Sequence, residues 1–198
     1  MALDLTGIQN LEFYSGHYLQ SVLEGDLKAV FKKWAEDAEE PGTRQPHEVL
    51  KGLSESWFQL QSRSEGERDE VERWRLARDF HVRLIQGLGY EYERSAELLE
   101  TGEAVPTLLA LRRDGNPFLW IIDAPAPEAD DDDPLDRHPL VEQLPPDADA
   151  SLLAKESWRD LLSGAVFRQE RPPRWVLFLG GREVVLTERH KWPQGRYL

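Results

Sequence analysis

The sequence predicts an α/β domain: a mixed central β-sheet flanked by helices, with a helical region in front of it. Three observations predict this. Apolar residues at helical spacing dominate the first half of the chain. Two almost continuous apolar runs then flank an Asp114-Gly115 pair, and a second pair of short β-rich runs lies near the C-terminal end. Helices first, then strands, then helix and strands again suit a sheet covered on both faces.

Residues 12–39 carry Tyr18, Leu19, Val22, Leu23, Leu27, Val30, Phe31 and Trp34 at helical spacing, and Gly25-Asp26 is a candidate break within them. Two prolines and a glycine make 40–46 a loop. A second helix is expected over 47–60. A third is expected over 67–88, with Val71, Trp74, Leu76, Ala77, Phe80, Val82, Leu84 and Ile85 as its buried stripe and Gly87-Leu88-Gly89 as its stop. Strands follow at 105–111 and 117–124, joined through Asp114-Gly115, a dipeptide that favours the tight turn of a hairpin. Residues 125–146 are rich in proline and aspartate, with little to bury, and are expected to be mobile. A short helix at 154–163 and a second hairpin, 174–179 and 182–187 around Gly180-Gly181, complete the pattern. The chain divides into a helical region, 1–65, and an α/β core, 66–198, with a flexible acidic loop near 126–149.

Composition narrows the chemistry. With 198 residues, 40% of them hydrophobic and seven Trp and seven Phe among them, the chain can bury a real core. It has no cysteine, which removes disulfides, thiolate nucleophiles and Cys-type zinc sites together and agrees with a reducing cytoplasm. The first ten residues lack the basic start of a signal peptide, and no apolar run approaches a membrane span, so a soluble cytoplasmic protein with no membrane partner is expected. The net charge of −13 is uneven. Residues 127–149 hold nine acids against Arg137 alone, whereas 168–198 hold seven bases against three acids. That basic end makes Arg174, Arg182, Arg189, Lys191 and Arg196 the candidates for phosphate contact.

One constellation carries possible chemistry. Metal-dependent nucleases of the restriction type place two acids and a lysine at the end of a central hairpin, where the acids seat Mg²⁺ against the scissile phosphate and the lysine offsets charge. Pro106-Thr107 stands where Pro-Asp would be, and Asp123-Ala124-Pro125 where Asp/Glu-x-Lys would be. Asp123 is thus the candidate catalytic and metal-binding residue, with Thr107 and Pro125 at the substituted positions. A hydroxyl and a proline supply neither the second carboxylate nor the ammonium, so a degenerate site is expected. The plainer reading is that Asp123 ends a buried strand and caps the next turn. Glu70, Glu72, Glu91, Glu93, Glu97 and Glu100 are the acids near enough in sequence to repair the site. His47, His81, His138 and His190 show no ligand spacing, and His17, flanked by aromatics, reads as a packing residue.

Three stretches carry a resemblance: Asn10-Leu-Glu-Phe-Tyr-Ser-Gly-His-Tyr-Leu19 with Leu23-Glu-Gly-Asp-Leu27; Asn116-Pro-Phe-Leu-Trp-Ile-Ile-Asp-Ala124; and Pro172-Pro-Arg-Trp-Val-Leu177 running on to Arg189-His-Lys-Trp-Pro-Gln-Gly-Arg-Tyr-Leu198. They resemble the N-terminal region of large bacterial proteins related to type IIG restriction–modification enzymes. These fuse a nuclease-like region to an adenine-specific DNA methyltransferase, and related methylases serve in phage defence. The resemblance implies a restriction-endonuclease-like fold, DNA and the methyltransferase domain of the same parent chain as partners, and other defence-system subunits as further ones. The end at Leu198 reads like a cut through a longer polypeptide. The S-adenosylmethionine site would then lie in the methyltransferase part, since no Asn/Asp-Pro-Pro-aromatic motif and no glycine-rich methyl-donor loop occur here. This portion would need no cofactor, or Mg²⁺ if it cuts. Three functions follow: a degenerate nuclease-like domain that contacts DNA, a neighbouring domain or a subunit; a live Mg²⁺ endonuclease using Asp123 and a migrated acid; or a structural module whose Phe13, Tyr14, Tyr18 and Trp34 pack against a partner.

Overall fold

The computed structural model describes residues 5–40, 42–92, 95–124, 133–153 and 155–198. After a short π-helical turn at Tyr18–Val22, helix α1 (Leu23–Asp37) runs straight through Gly25-Asp26, which does not break it. An internal glycine costs only about 1 kcal/mol against alanine, too little to end a helix whose apolar spacing continues on both sides. The helix expected over 47–60 is two: α2 (Pro46–Gly52), with Pro46 in its first turn, and α3 (Ser54–Ser64). Helix α4 (Glu70–Gly87) is capped by Asp69, whose carboxylate accepts the N–H groups of Val71 (2.9 Å) and Glu72 (3.2 Å). Gly89 follows at φ +88°, the left-handed conformation that releases the chain from the helix.

The apolar run at 105–111 is not one strand. Its first part belongs to β2 (Ala104–Thr107), which pairs antiparallel with β1 (Ser95–Leu98). Its second part belongs to β3 (Leu109–Arg113), which pairs antiparallel with β4 (Asn116–Ala124). Leu108 lies between them, fully buried, and donates its N–H to the Ile121 carbonyl at 2.8 Å, so the chain changes sheets with that buried donor paired. Asp114 and Gly115 both have positive φ, 52° and 78°, as the two-residue turn of the β3–β4 hairpin requires.

Strand β5 (Trp175–Gly180) lies parallel to β4, and β6 (Glu183–Glu188) antiparallel to β5, giving the order β3-β4-β5-β6 in a mixed sheet. The turn of this second hairpin falls at Gly181-Arg182, one residue later than the glycine pair suggests. Gly180 is inside the strand instead, where a Cβ would come within 2.9 Å of the Pro134 side chain.

Helices cover the two faces of this sheet, as the sequence predicts. Helix α4 lies over Ile121 and Leu179, with Ile85 at the contact. On the other face, Trp120, Ile122, Val176 and Phe178 pack against Trp158, Leu161 and Leu162 of α5 (Trp158–Gly164), which begins four residues later than expected, behind the Ser157 cap. Trp120, Trp158 and Phe178 are almost wholly removed from water, each contributing about 1.5–3 kcal/mol.

Part of the acidic stretch is built into the core. Residues 126–132 lie outside the described ones, but the part from Asp133 onward buries Leu135 completely and Leu144 and Gln143 nearly so, contrary to the expectation that it has little to bury. Arg159 of α5 draws it in, donating to Asp133 at 2.7 Å and Asp136 at 2.6 Å, while its backbone N–H meets the Leu135 carbonyl at 2.7 Å. Scattered leucines between aspartates give no periodic signal, yet Leu135 and Leu144 join the core under α5 while Arg159 pairs with two of the acids.

Candidate functional site

Asp123 sits in β4 with its carboxylate on the α4 face, 2% exposed. The Trp74 indole N–H of α4 donates to its Oδ2 at 2.9 Å, and the Gln143 side-chain amide donates to its backbone oxygen at 2.6 Å. Burial pushes the Asp123 carboxyl above its ordinary range, against the opposing influence of the Arg78 cation and the Trp74 and Gln143 hydrogen bonds. Arg78 is itself held between aromatic rings, 4.9 Å from the Trp74 centroid and 5.3 Å from that of Tyr92, and its Nε donates to the Tyr92 hydroxyl at 2.9 Å. Outside this cluster a cleft of about 550 Å³ opens between Trp74, Arg75, Arg78 and Tyr92 on one side and Val141, Leu144, Pro145 and Pro146 on the other.

The neighbours expected to complete a metal site do not gather here. Thr107 is buried in β2, and its hydroxyl lies 3.0 Å from that of Ser95. Pro125 and Glu93 lie outside the described residues. Glu70 and Glu91 are exposed, Glu72 pairs with Arg75, Glu97 pairs with Arg112 at 2.8 Å, and Glu100 accepts the Glu170 N–H at 2.7 Å. Among the described residues no three Asp, Glu or His side chains come together in a way that could hold a metal ion. A carboxylate that already accepts an indole proton, and that its surroundings favour in the neutral form, is a poor seat for Mg²⁺.

The histidines divide. His81 is buried in α4 and burial lowers it to about 3, with the Arg78 charge adding to the effect, so it is a neutral core residue at physiological pH. His47, His138 and His190 are exposed, and so is His17, contrary to its expected packing role.

The five candidate phosphate contacts do not form one surface. Arg174 and Arg189 face each other where β5 begins and β6 has ended, the Arg189 N–H donating to the Arg174 carbonyl at 3.1 Å. They share a polar cleft of about 500 Å³ with Arg113 and Arg171, against the acids Asp114 and Glu170. Arg113 stands over the Phe118 ring at 5.9 Å, and the Arg174 guanidinium lies 5.4 Å from the Trp175 ring centroid with its Nε 3.9 Å from the Glu188 carboxylate. Arg182 lies in the β5–β6 turn, at the other end of the hairpin, donating to Gln61 of α3 at 2.9 Å. A six-residue strand separates the two positions by roughly 20 Å. Lys191 and Arg196 are committed to the N-terminal arm. The Lys191 ammonium donates to the Phe13 carbonyl and lies 4.1 Å from the Phe13 ring, and Arg196 pairs with Glu12 at 3.6 Å.

Sequence reasoning missed Trp74, Gln143, Arg113 and Arg171. The Asp114-Gly115 turn could have placed Arg113 at this end of the sheet. Nothing in the sequence links Trp74 to an aspartate 49 residues away. The class of protein that this geometry defines is a mixed α/β domain with one sealed carboxylate and one open arginine cleft. Among known proteins, the chain matches no family model, no curated protein and no solved structure. No helix among the described residues is long and apolar enough to cross a membrane.

Proposed function

We propose that the chain is a nuclease-like domain of restriction-endonuclease type that no longer cuts, and that contacts the DNA backbone through the arginine cleft. Its setting would be a bacterial restriction–modification or phage-defence protein whose methyltransferase domain and S-adenosylmethionine site lie elsewhere. The observation that carries this reading is the contrast between Asp123, buried beneath Trp74, and Arg113, Arg171, Arg174 and Arg189, gathered around one polar cleft. The mixed sheet, its β3–β4 hairpin and the position of Asp123 near the end of that hairpin support the nuclease kinship. The overall charge of −13 repels DNA at long range, so binding depends on this local concentration of guanidinium groups.

The test is a fluorescence anisotropy titration with labelled duplex, with a plasmid-cutting assay in Mg²⁺ and Mn²⁺ alongside. Binding should be measurable at low salt and weaken on the order of 10- to 100-fold between about 50 and about 200 mM salt, as expected for two to four phosphate contacts. The plasmid should stay intact. Absence of binding at the lowest salt would remove the DNA contact, and metal-dependent cutting abolished by Asp123→Ala would replace this reading with that of a working endonuclease.

A further inference from the structure

Helix α1 buries none of its side chains, although its apolar residues fall on one stripe. Leu23, Leu27, Val30 and Trp34 follow 4-3-4 spacing, the seam of a helix pair, and Phe31 widens it. Val30 is 40% and Phe31 44% exposed, and the Phe31 and Trp34 rings touch each other, with centroids 5.5 Å apart. Within the helix Lys28 pairs with Glu24 and Lys32 with Glu36, both at 3.6 Å. Two charges border the stripe on one flank: Asp26, one residue before Leu27, which accepts a hydrogen bond from the Tyr18 hydroxyl at 3.1 Å, and Lys33, one residue before Trp34. They are seven residues apart and opposite in sign.

That arrangement selects a partner. In an antiparallel pair of identical helices, the residues on this flank face their own kind across the seam. With Leu27 set against Val30 of the other copy and Leu23 against its Trp34, Asp26 of each copy meets Lys33 of the other, twice by symmetry. In a parallel pair, Asp26 would face Phe31 and Lys33 would face Ala38, and neither charge would find a counter-charge. We propose that α1 is a self-association site, pairing antiparallel with α1 of a second copy through Leu23, Leu27, Val30, Phe31 and Trp34 and held in register by the two Asp26–Lys33 pairs. A helix of 15 residues is only about 22 Å long. Such a seam buries less than a standard protein interface, so the dimer is reversible and concentration-dependent.

Sedimentation of the full chain over a wide concentration range tests this. A reversible monomer–dimer equilibrium is expected. Asp26→Lys alone and Lys33→Asp alone should each weaken it about tenfold or more, because both symmetric pairs become repulsive. The double variant carrying both changes should restore it to within about threefold. Val30→Asp should abolish it. Circular dichroism establishes that each variant keeps its helix, which is expected since none of these side chains is buried. A chain that stays monomeric at the highest concentration overturns the proposal. So does a dimer indifferent to Val30→Asp, or one that the double variant fails to restore.

Discussion

The two ends of the four-stranded sheet hold opposite charges in opposite environments. At one end Asp123 is enclosed by an indole and a side-chain amide and pushed toward its neutral form. At the other, Arg113, Arg171 and Arg174 are exposed around a polar cleft, with Arg189 half-buried beside them. Both positions attract notice in the sequence because of their charge, yet only exposed charge is available to a ligand. Burial turns the aspartate into a structural residue, whereas the arginines keep their charge at the surface, Arg174 beside Glu188 at 3.9 Å and Arg189 against the Pro172 carbonyl at 3.5 Å.

The sharpest way to break this comparison is to reverse the open end. Arg174→Glu with Arg189→Glu should lower duplex affinity about a hundredfold at low salt and flatten the dependence on salt, read by the same anisotropy titration. Some loss of stability accompanies the reversal, since Arg174 lies 3.9 Å from the buried Glu188 carboxylate, so binding is read at a temperature where circular dichroism shows the variant folded. If the double reversal binds as well as the parent, the cleft is not the contact surface.

The sealed end predicts a smaller effect, on stability. Trp74→Phe removes the indole donor and leaves the Asp123 carboxylate without it in a buried place. The expected cost is about 1–3 kcal/mol in urea unfolding. A loss under about 0.5 kcal/mol would mean that the carboxylate finds its stabilisation elsewhere.

Asp123→Asn sharpens the same point through pH. The folded state holds this carboxyl above its ordinary value, so the fold favours the protonated form. Its contribution is therefore complete below the unfolded value, near pH 4, and is lost as pH rises through the folded value. The asparagine variant cannot ionise and its amide oxygen can still accept from Trp74. Relative to the parent it should gain stability as pH rises from about 4 through the folded value, in denaturant melts taken across the range. A metal-bound aspartate would give the reverse, with the parent favoured at neutral pH in the presence of Mg²⁺.

How much of this was legible follows from the range of each interaction. Hairpins are written locally: Asp114-Gly115 states its turn in two residues, and the runs on either side need no distant information. The run at 105–111 was misread because continuous apolarity says that a segment is buried but not where it changes partner, and Leu108 carries no mark of the switch. The stripe of α1 was plain, but the same spacing serves a core and an interface equally, and only its exposure separates them. The seal over Asp123 was not legible at all. Trp74 reads as one more apolar residue of α4, and Gln143 lies in a stretch whose composition suggests solvent.

The smallest effect belongs to Arg182, and it tests whether the two ends are independent. The sequence groups this arginine with Arg174 and Arg189 because all three lie in the basic C-terminal part. The fold carries it to the β5–β6 turn, at the Asp123 end, beside Gln61 of α3. A separation of roughly 20 Å exceeds the Debye length of about 8–10 Å at physiological salt, so a charge there is largely screened from a phosphate in the cleft. Arg182→Glu should therefore leave duplex affinity within about threefold of the parent at 0.15 M salt or so, in the same titration that registers the Arg174 and Arg189 reversals. If it lowers affinity as far as they do, bound DNA must run along the length of the hairpin. The contrast between an open and a sealed end would then give way to a single surface spanning both, with Asp123 beneath one end of it.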